Sequence, residues 1–489
     1  MKPNFLIPFL SILSTVLIIS SCSKPAPQTE FPRVEHYSYN VIHQWNELFL
    51  QIDKDAMGFR PGPGPRALGY MGIAAYEICI PGMPNFKTLK NLPQFQGSGI
   101  PSYTGSAELH YPTAINAAYA FLMSHFFEKV EFFNAAGSTG KHLTNSEAQQ
   151  MIENLKNSLE AEYKQESNVN RFNNSKAWGE EVARAVWQWS TTDLYGHEAY
   201  LNPLNNDPSK FPYYNWREKS LDANGKRIPG KWMPTNDNPD GGMFPFWGNV
   251  RTFATSNHQK LSKPPIPALL PDGSVNPRWH AENLEVYSTT TSRSYEDEWI
   301  AEFWSDDLFG LTFAPPPRLM AIMDQIMVAK NSNLEEAVYA NALMGITLND
   351  CAVVCWNSKW VYNTERPEHY IKDYIDPNWE SALDHPYTGQ KGVTPSFPAY
   401  PSGHSTFGGG GAWALATVWG NNTYFVDRCH ENRKEFEGTP RPFYSFSAMG
   451  REDAISRIPL GVHIRIDCEE GIRIGEEVAR RVAELPWKG

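Results

Sequence analysis

The chain predicts an all-α fold. Apolar residues recur at helical spacing through most of its regular segments. No strand-like alternation and no internal repeat is evident, and Leu334–Tyr362 carries the helical pattern over a long run. With 489 residues, 41% hydrophobic and 20% charged, the chain can bury a large core, and its length allows two or three domains. Lys and Arg number 43 against 54 Asp and Glu, a net charge of −11, and no basic run stands out. That removes the electrostatic footprint of a nucleic-acid binder.

At the amino terminus, residues 1–22 read as a lipoprotein signal peptide. Lys2 supplies the positive start, and Phe5 to Ile19 is apolar apart from Pro8, Ser11, Ser14 and Thr15. Ile19-Ser20-Ser21-Cys22 resembles a bacterial lipobox, in which Cys22 is lipidated and becomes the first residue of the mature protein. The alternatives are an ordinary signal peptide with an incidental cysteine, or an uncleaved anchor. Residues 23–36 then form a tether, opening with three prolines between Ser23 and Pro32. Export to the periplasm or cell surface follows, with the lipid as the sole membrane attachment. No later segment approaches the ~20 consecutive apolar residues of a membrane span.

An N-terminal helical region is expected over residues 37–292. Val41–Ala56 and Arg66–Cys79 have helical spacing, Ser146–Tyr163 is a polar helix capped by Asn145, and Ala177–Trp189 carries Val182, Ala185, Val186 and Trp189 on one face. Between about Tyr195 and Ser292 periodicity disappears. Gly241-Gly242 and the proline-rich 264–271 stretch suggest a long ordered excursion, pinned by Trp216, Trp232, Phe244 and Trp247. A catalytic helical region is expected over 293–489. It begins with Tyr295–Phe303, Pro317–Ala329 and Leu334–Tyr362, the last carrying Asp350, Trp356 and Lys359 towards one end. Arg366-Pro367 closes that helix. A loop over Glu368–Pro401, a Gly/Ala-rich helix opened by Ser402 and reaching about Trp419, and a final helix from Asp467 to about Glu484 complete the chain.

Five cysteines remain once Cys22 is set aside, an odd number for a disulfide framework. Cys351 and Cys355 are one helical turn apart, poor geometry for a bridge and without zinc-site spacing. Buried free thiols are expected, with a Cys429–Cys468 bridge left open.

Three runs in the last third carry chemistry: Lys359 with Arg366-Pro367, Pro401-Ser402-Gly403-His404, and Ser456-Arg457 with His463 and Asp467. Together they collect a Lys, two Arg, two His, a hydroxyl and a glycine amide, a donor-rich set suited to a compact multiply charged oxyanion. Ser402 begins a helix whose exposed amides and positive dipole end attract anions, although a serine there can also merely cap the helix. His463 and Asp467, four residues apart, share one helical face, so the carboxylate can fix the imidazole tautomer; pairing of Asp467 with Arg465 is the alternative. Gly408 to Gly411 lack the Lys-Ser/Thr of a phosphate loop and read as close-packing residues.

In this order and spacing the runs resemble the superfamily of type 2 phosphatidic acid phosphatases and vanadium haloperoxidases, whose motif is KxxxxxxRP, PSGH and SRxxxxxHxxxD. The haloperoxidase branch is closer: Phe397-Pro398-Ala399-Tyr400 runs into the PSGH, Trp356 precedes Lys359 by one turn, and Ile458-Pro459-Leu460-Gly461-Val462 leads to His463. Weaker likenesses lie at Arg66-Ala67-Leu68, Ala74-Ala75-Tyr76-Glu77 and Ala301-Glu302-Phe303-Trp304. The resemblance implies two four-helix-bundle halves of the vanadium chloroperoxidase and acid phosphatase type. It implies vanadate as cofactor, bonded by His463 and held by Lys359, Arg366, Ser402, Gly403 and Arg457. His404 is then the acid–base group, and Trp356 and Phe397 border the halide pocket. The implied activity is oxidation of halide by hydrogen peroxide to hypohalous acid. The alternative is a soluble acid phosphatase acting on a phosphate monoester through a phosphohistidine at His463, without vanadate. A lipoprotein that binds phosphate or carbohydrate without turnover has no use for the second histidine.

Overall fold

The computed structural model describes residue 1, residues 32–133 and residues 143–489. The signal peptide, Cys22 and most of the tether lie outside the described residues. The fold is all-α in two bundle-like halves. The first half contains α1 (Asn40–Asp53), α2 (Pro63–Cys79), α3 (Tyr111–Phe126), α4 (Asn145–Glu166) and α5 (Val169–Thr191). An excursion follows, with the one-turn α6 (Arg217–Ser220) and the longer α7 (Pro277–Thr291). The second half contains α8 (Tyr295–Phe303), α9 (Pro315–Lys330), α10 (Leu334–Tyr362), α11 (Pro367–Tyr374), α12 (Gly403–Trp419), the pair β1 (Phe425–Asp427) and β2 (Arg441–Phe443), α13 (Phe446–Ile455), α14 (Arg457–Leu460) and α15 (Arg465–Ala483).

The halves meet on α10, which packs along α2 on one side and along α12 and α15 on the other. It is long and apolar enough to span a membrane, but 94% of its most apolar window is buried inside the protein, so it is a core helix. Glycines set the spacing of the second half. A Cβ on Gly475 would sit 2.1 Å from the Thr406 carbonyl oxygen, and one on Gly409 2.7 Å from that of Ile472. Only residues without a side chain let α12 and α15 approach so closely, and the glycine run is a packing surface as expected.

Several boundaries differ from the expectation. α4 is capped by Thr144, whose hydroxyl and Glu147 form a reciprocal capping box, so Asn145 is its first residue and not its cap. The excursion over Tyr195–Ser292 is not free of helix. α7 buries only Trp279, Asn283 and Val286, a stripe too thin to read through its polar neighbours. α3, absent from the expectation, is apolar on nearly every face, which erases the period. α10 spans Leu334–Tyr362 as expected, but Arg366-Pro367 is not what closes it. Asn363, left-handed at φ 51°, terminates it, and Pro367 instead starts α11 inside the expected loop. Asp350 is fully buried within α10. Its buried carboxylate accepts the amides of Phe253, Ala254 and Thr255, 2.9 Å each, and so anchors the excursion to α10. Trp216, Trp232, Phe244 and Trp247 are buried, as anchors should be. Cys429 and Cys468 are unbridged thiols, like Cys79, Cys351 and Cys355.

Candidate active site

The three runs converge where the C-terminal end of α10, the start of α12, and α14 with the start of α15 meet. His463, just before α15, is buried with Nδ1 3.0 Å from Oδ2 of Asp467 and Nε2 3.0 Å from Nη1 of Arg366. An arginine N–H only donates, so Nε2 accepts and the proton resides on Nδ1, facing the carboxylate. Burial holds the His463 pKa well below its usual value, and Arg366, Lys359 and Arg457 push the same way. A neutral imidazole with its lone pair at Nε2 results. Arg465 takes Glu285 as its partner, which leaves Asp467 to the histidine.

Arg366 donates from Nε to the Phe397 carbonyl at 2.9 Å and from Nη1 to that of Val462 at 2.8 Å, while Nη2 is buried with no partner. Arg457 donates from Nη2 to Asp307 at 2.5 Å and from Nη1 to the Trp304 carbonyl at 3.3 Å, while its Nε is likewise orphaned. Ser402 caps α12, its hydroxyl oxygen accepting the Ser405 amide at 3.3 Å, and its hydroxyl proton has no acceptor among the described residues. Gly403 and His404 head α12, and there an α-helix leaves its first amides without intrahelical partners. Lys359 departs from expectation. All three of its donors go to backbone carbonyls, those of Pro398 at 2.9 Å, Ala399 at 2.7 Å and Pro401 at 2.6 Å. It therefore holds the strap leading into the PSGH run and reaches the site as a charge. Burial lowers its pKa and raises that of Asp467, so an arriving anion favours the charged ammonium.

These groups fit a tetrahedral oxyanion. Nη2 of Arg366 and Nε of Arg457 are buried donors without acceptors near an imidazole whose Nε2 is held by Nη1 of Arg366, and such donors are costly unless a ligand satisfies them. Among the described residues no group of three or more His, Cys, Asp or Glu is placed to hold a metal ion.

His404 lies beside this set. Its Nε2 is 3.1 Å from the Ser305 carbonyl, which can only accept, so Nδ1 is the basic nitrogen. Burial, assisted by Arg457, lowers its pKa to about 4. His404, His463, Gly403, Arg457, Trp356 and Phe397 line one cavity of about 50 Å³. The Trp356 and Phe397 rings are 4.9 Å apart, and the Trp356 indole donates to the Met243 carbonyl at 3.2 Å. Sequence reasoning missed Asp307, Phe309 and Arg60 on the same wall. Asp307, also 4.0 Å from Nε2 of His404, follows closely on the Ala301–Trp304 likeness, the one signal that pointed there.

The chain is similar to known proteins along most of its length. The family model described as the VCPO second helical-bundle domain matches residues 340–486. The vanadium chloroperoxidase of Curvularia inaequalis is 26% identical over 91% of this chain and 81% of its own length. Among solved structures, the first bacterial vanadium-dependent iodoperoxidase superposes with a TM-score of 0.71 at 25% identity, covering 91% of this chain and 96% of its own. An apo-type bacterial vanadium-dependent chloroperoxidase shares the fold, with a TM-score of 0.62 at 13% identity over 87% of this chain and 94% of its own.

Proposed function

We propose that this chain, which belongs to the vanadium haloperoxidase superfamily, is a vanadate-dependent haloperoxidase that oxidises halide with hydrogen peroxide to hypohalous acid. The observation that carries the reading is the cavity above the oxyanion donors, about 50 Å³ and walled by Trp356, Phe397, Phe309, Pro395, Leu383 and Val393. That space takes a few waters, a peroxide or a monatomic anion. Pockets for larger organic ligands run to ~300 Å³ and more, so the organic group of a phosphate monoester finds little room. The full-length likeness to an iodoperoxidase supports the same reading.

Bound vanadate would supply a Lewis acid for peroxide activation. Arg366, Arg457, Ser402 and the amides of Gly403 and His404 would hold its oxygens, and Nε2 of His463 would bond to the metal. Lys359 adds charge and fixes the strap. His404, neutral at pH 7, takes a proton from incoming peroxide at Nδ1, while Trp356 and Phe397 keep the halide partly desolvated. The second reading, an acid phosphatase with His463 as nucleophile, uses the same donors. It would need His404 protonated to serve the leaving group, and a pKa near 4 suits a base better than an acid at neutrality.

The test is vanadate-stripped protein assayed with vanadate, hydrogen peroxide and bromide or iodide, beside a generic phosphatase assay without vanadate. Halogenation that requires vanadate and is suppressed by phosphate, competing for one pocket, is expected. Ester hydrolysis without halogenation would select the phosphatase. We also propose export and lipid attachment through Cys22, which predicts that Cys22→Ser leaves the membrane fraction.

A further inference from the structure

We propose that Arg60 forms an anion subsite on the wall of this cavity, where the halide is held before it is oxidised. The inference rests on the haloperoxidase reading for the identity of the anion, but its geometry stands apart from the oxyanion motif. Arg60 is only 5% exposed. Its guanidinium is immobilised by carbonyls, Nη2 donating to Thr312 at 2.7 Å and Lys54 at 3.2 Å, and Nη1 to Asp306 at 3.3 Å. The Phe309 ring lies 4.5 Å from its central carbon. Its Nε is buried with no partner.

No carboxylate lies within ion-pair distance of this cation among the described residues. The acids that sense its charge from farther away are Asp53, Asp306, Asp307 and Asp55. Asp306 is paired with Arg318 and His430, Asp307 with Arg457 and Asp55 with Lys54, while Asp53 accepts the Ala314 amide on Oδ2 and keeps Oδ1 buried without a partner. A buried cation with no carboxylate in direct contact is costly, and Arg60 is among the residues that line the cavity.

The chemistry of the wall selects the kind of anion. Trp356 has spent its indole N–H on Met243. Among the residues that line the cavity, the side-chain nitrogens buried without a partner are Nε of Arg457, already among the oxyanion donors, and Nε of Arg60. A single directed donor beside Phe309, in a cavity also lined by Phe397, Trp356, Pro395 and the carboxylates of Asp237 and Asp307, suits a monatomic, weakly hydrated anion. A tetrahedral anion would need several donors.

Two measurements test the subsite. Crystals of the vanadate-free wild type soaked in sodium bromide should show an anomalous peak at Nε of Arg60, and crystals of Arg60→Met should lack it. In steady-state assays Arg60→Met should raise the KM for bromide and iodide about ten- to hundredfold, the loss of one charged hydrogen bond. Saturating kcat, the KM for peroxide and vanadate affinity should not change, and Arg60→Lys should restore part of the halide affinity. A merely structural Arg60 would instead disturb all four quantities together. Absence of the bromide peak in the wild type overturns the subsite, and so does an unchanged halide KM in Arg60→Met. If Arg60→Met fails to fold, the wild-type soak and Arg60→Lys decide. A bromide peak in a wild type that halogenates nothing removes the haloperoxidase reading and leaves the anion subsite standing.

Discussion

Replacing Asp467 by asparagine keeps the shape of the side chain and removes its charge. In the wild type His463 is held from both sides, Nδ1 3.0 Å from Asp467 and Nε2 3.0 Å from Arg366. The amide oxygen of Asp467→Asn can still accept from Nδ1, but its NH2 then falls where Oδ1 now lies, buried and without a partner. A hydrogen bond to a charged group contributes ~1.5–3 kcal/mol and a neutral one ~0.5–1.5, while a buried unsatisfied group costs ~1–3. The amide therefore either accepts weakly or turns its NH2 towards the ring, which breaks the contact. Both outcomes loosen the tautomer that exposes the Nε2 lone pair. Outer partners of metal-bonded histidines typically carry ~10–100-fold in affinity, which is ~1.4–2.7 kcal/mol. Isothermal titration of vanadate into stripped Asp467→Asn should show a weakening of that size. Nitrogen NMR on histidine-labelled protein should show a mixed protonation of His463. If vanadate affinity stays within about threefold of wild type, less than ~0.7 kcal/mol, and the tautomer is unchanged, the carboxylate does not do what this reasoning requires.

His463→Ala should abolish tight vanadate binding outright, as calorimetry would record; retention of both vanadate binding and turnover would remove the superfamily mechanism from this pocket. His404→Ala should keep vanadate bound while halogenation falls by about 10²–10⁴, the usual contribution of an acid–base group. Because the neutral ring of His404 accepts the proton and its pKa is lowered to about 4, kcat/KM should fall as pH drops through about 4, well below the ~6.5 of an ordinary histidine. The same depression means that the unfolded ring binds its proton first, so stability is fully present above ~6.5 and declines as pH falls towards the folded pKa. Thermal melts across that window should show the decline, and His404→Ala should make it shallower, the rest coming from buried His463, His369 and His110, which are lowered in the same direction. Gly409→Ala drives a methyl to 2.7 Å from the Ile472 carbonyl oxygen, which should cost ~1–3 kcal/mol by overpacking. A melting temperature equal to wild type would mean that α12 and α15 can separate freely.

Much of the fold was legible because its helices obey simple rules. α8 and α10 were located from periodicity to the residue, and α2 and α15 to within a few. The misses have physical causes. α3 is buried on nearly every face, so no amphipathic period survives to be read. α7 spends nearly half its length on Ser, Thr and charged residues and buries three side chains. Proline misled in both directions, because Pro367 at the first turn of α11 is favourable and not a terminator, while the true stop of α10 is a left-handed Asn363 that no hydrophobic pattern marks.

The site was legible as a set of residues and less so as a division of labour. Motif spacing brought Lys359, Arg366, Ser402, Gly403, His404, Arg457, His463 and Asp467 together on the page, and all of them converge in space. Which N–H points at the ligand is a different matter, because it depends on what the backbone withdraws first. Three carbonyls of the strap claim the entire donor capacity of Lys359, whereas Arg366, with five donors in a rigid fork, satisfies two carbonyls and an imidazole and still keeps Nη2 unspent. An ammonium and a guanidinium in one motif thus do different work: the lysine shapes the loop and supplies potential, and the arginine keeps a directed bond for the oxyanion. Exchanging them would leave the net charge of the pocket unaltered and remove the directed donor, so charge alone cannot account for recognition here.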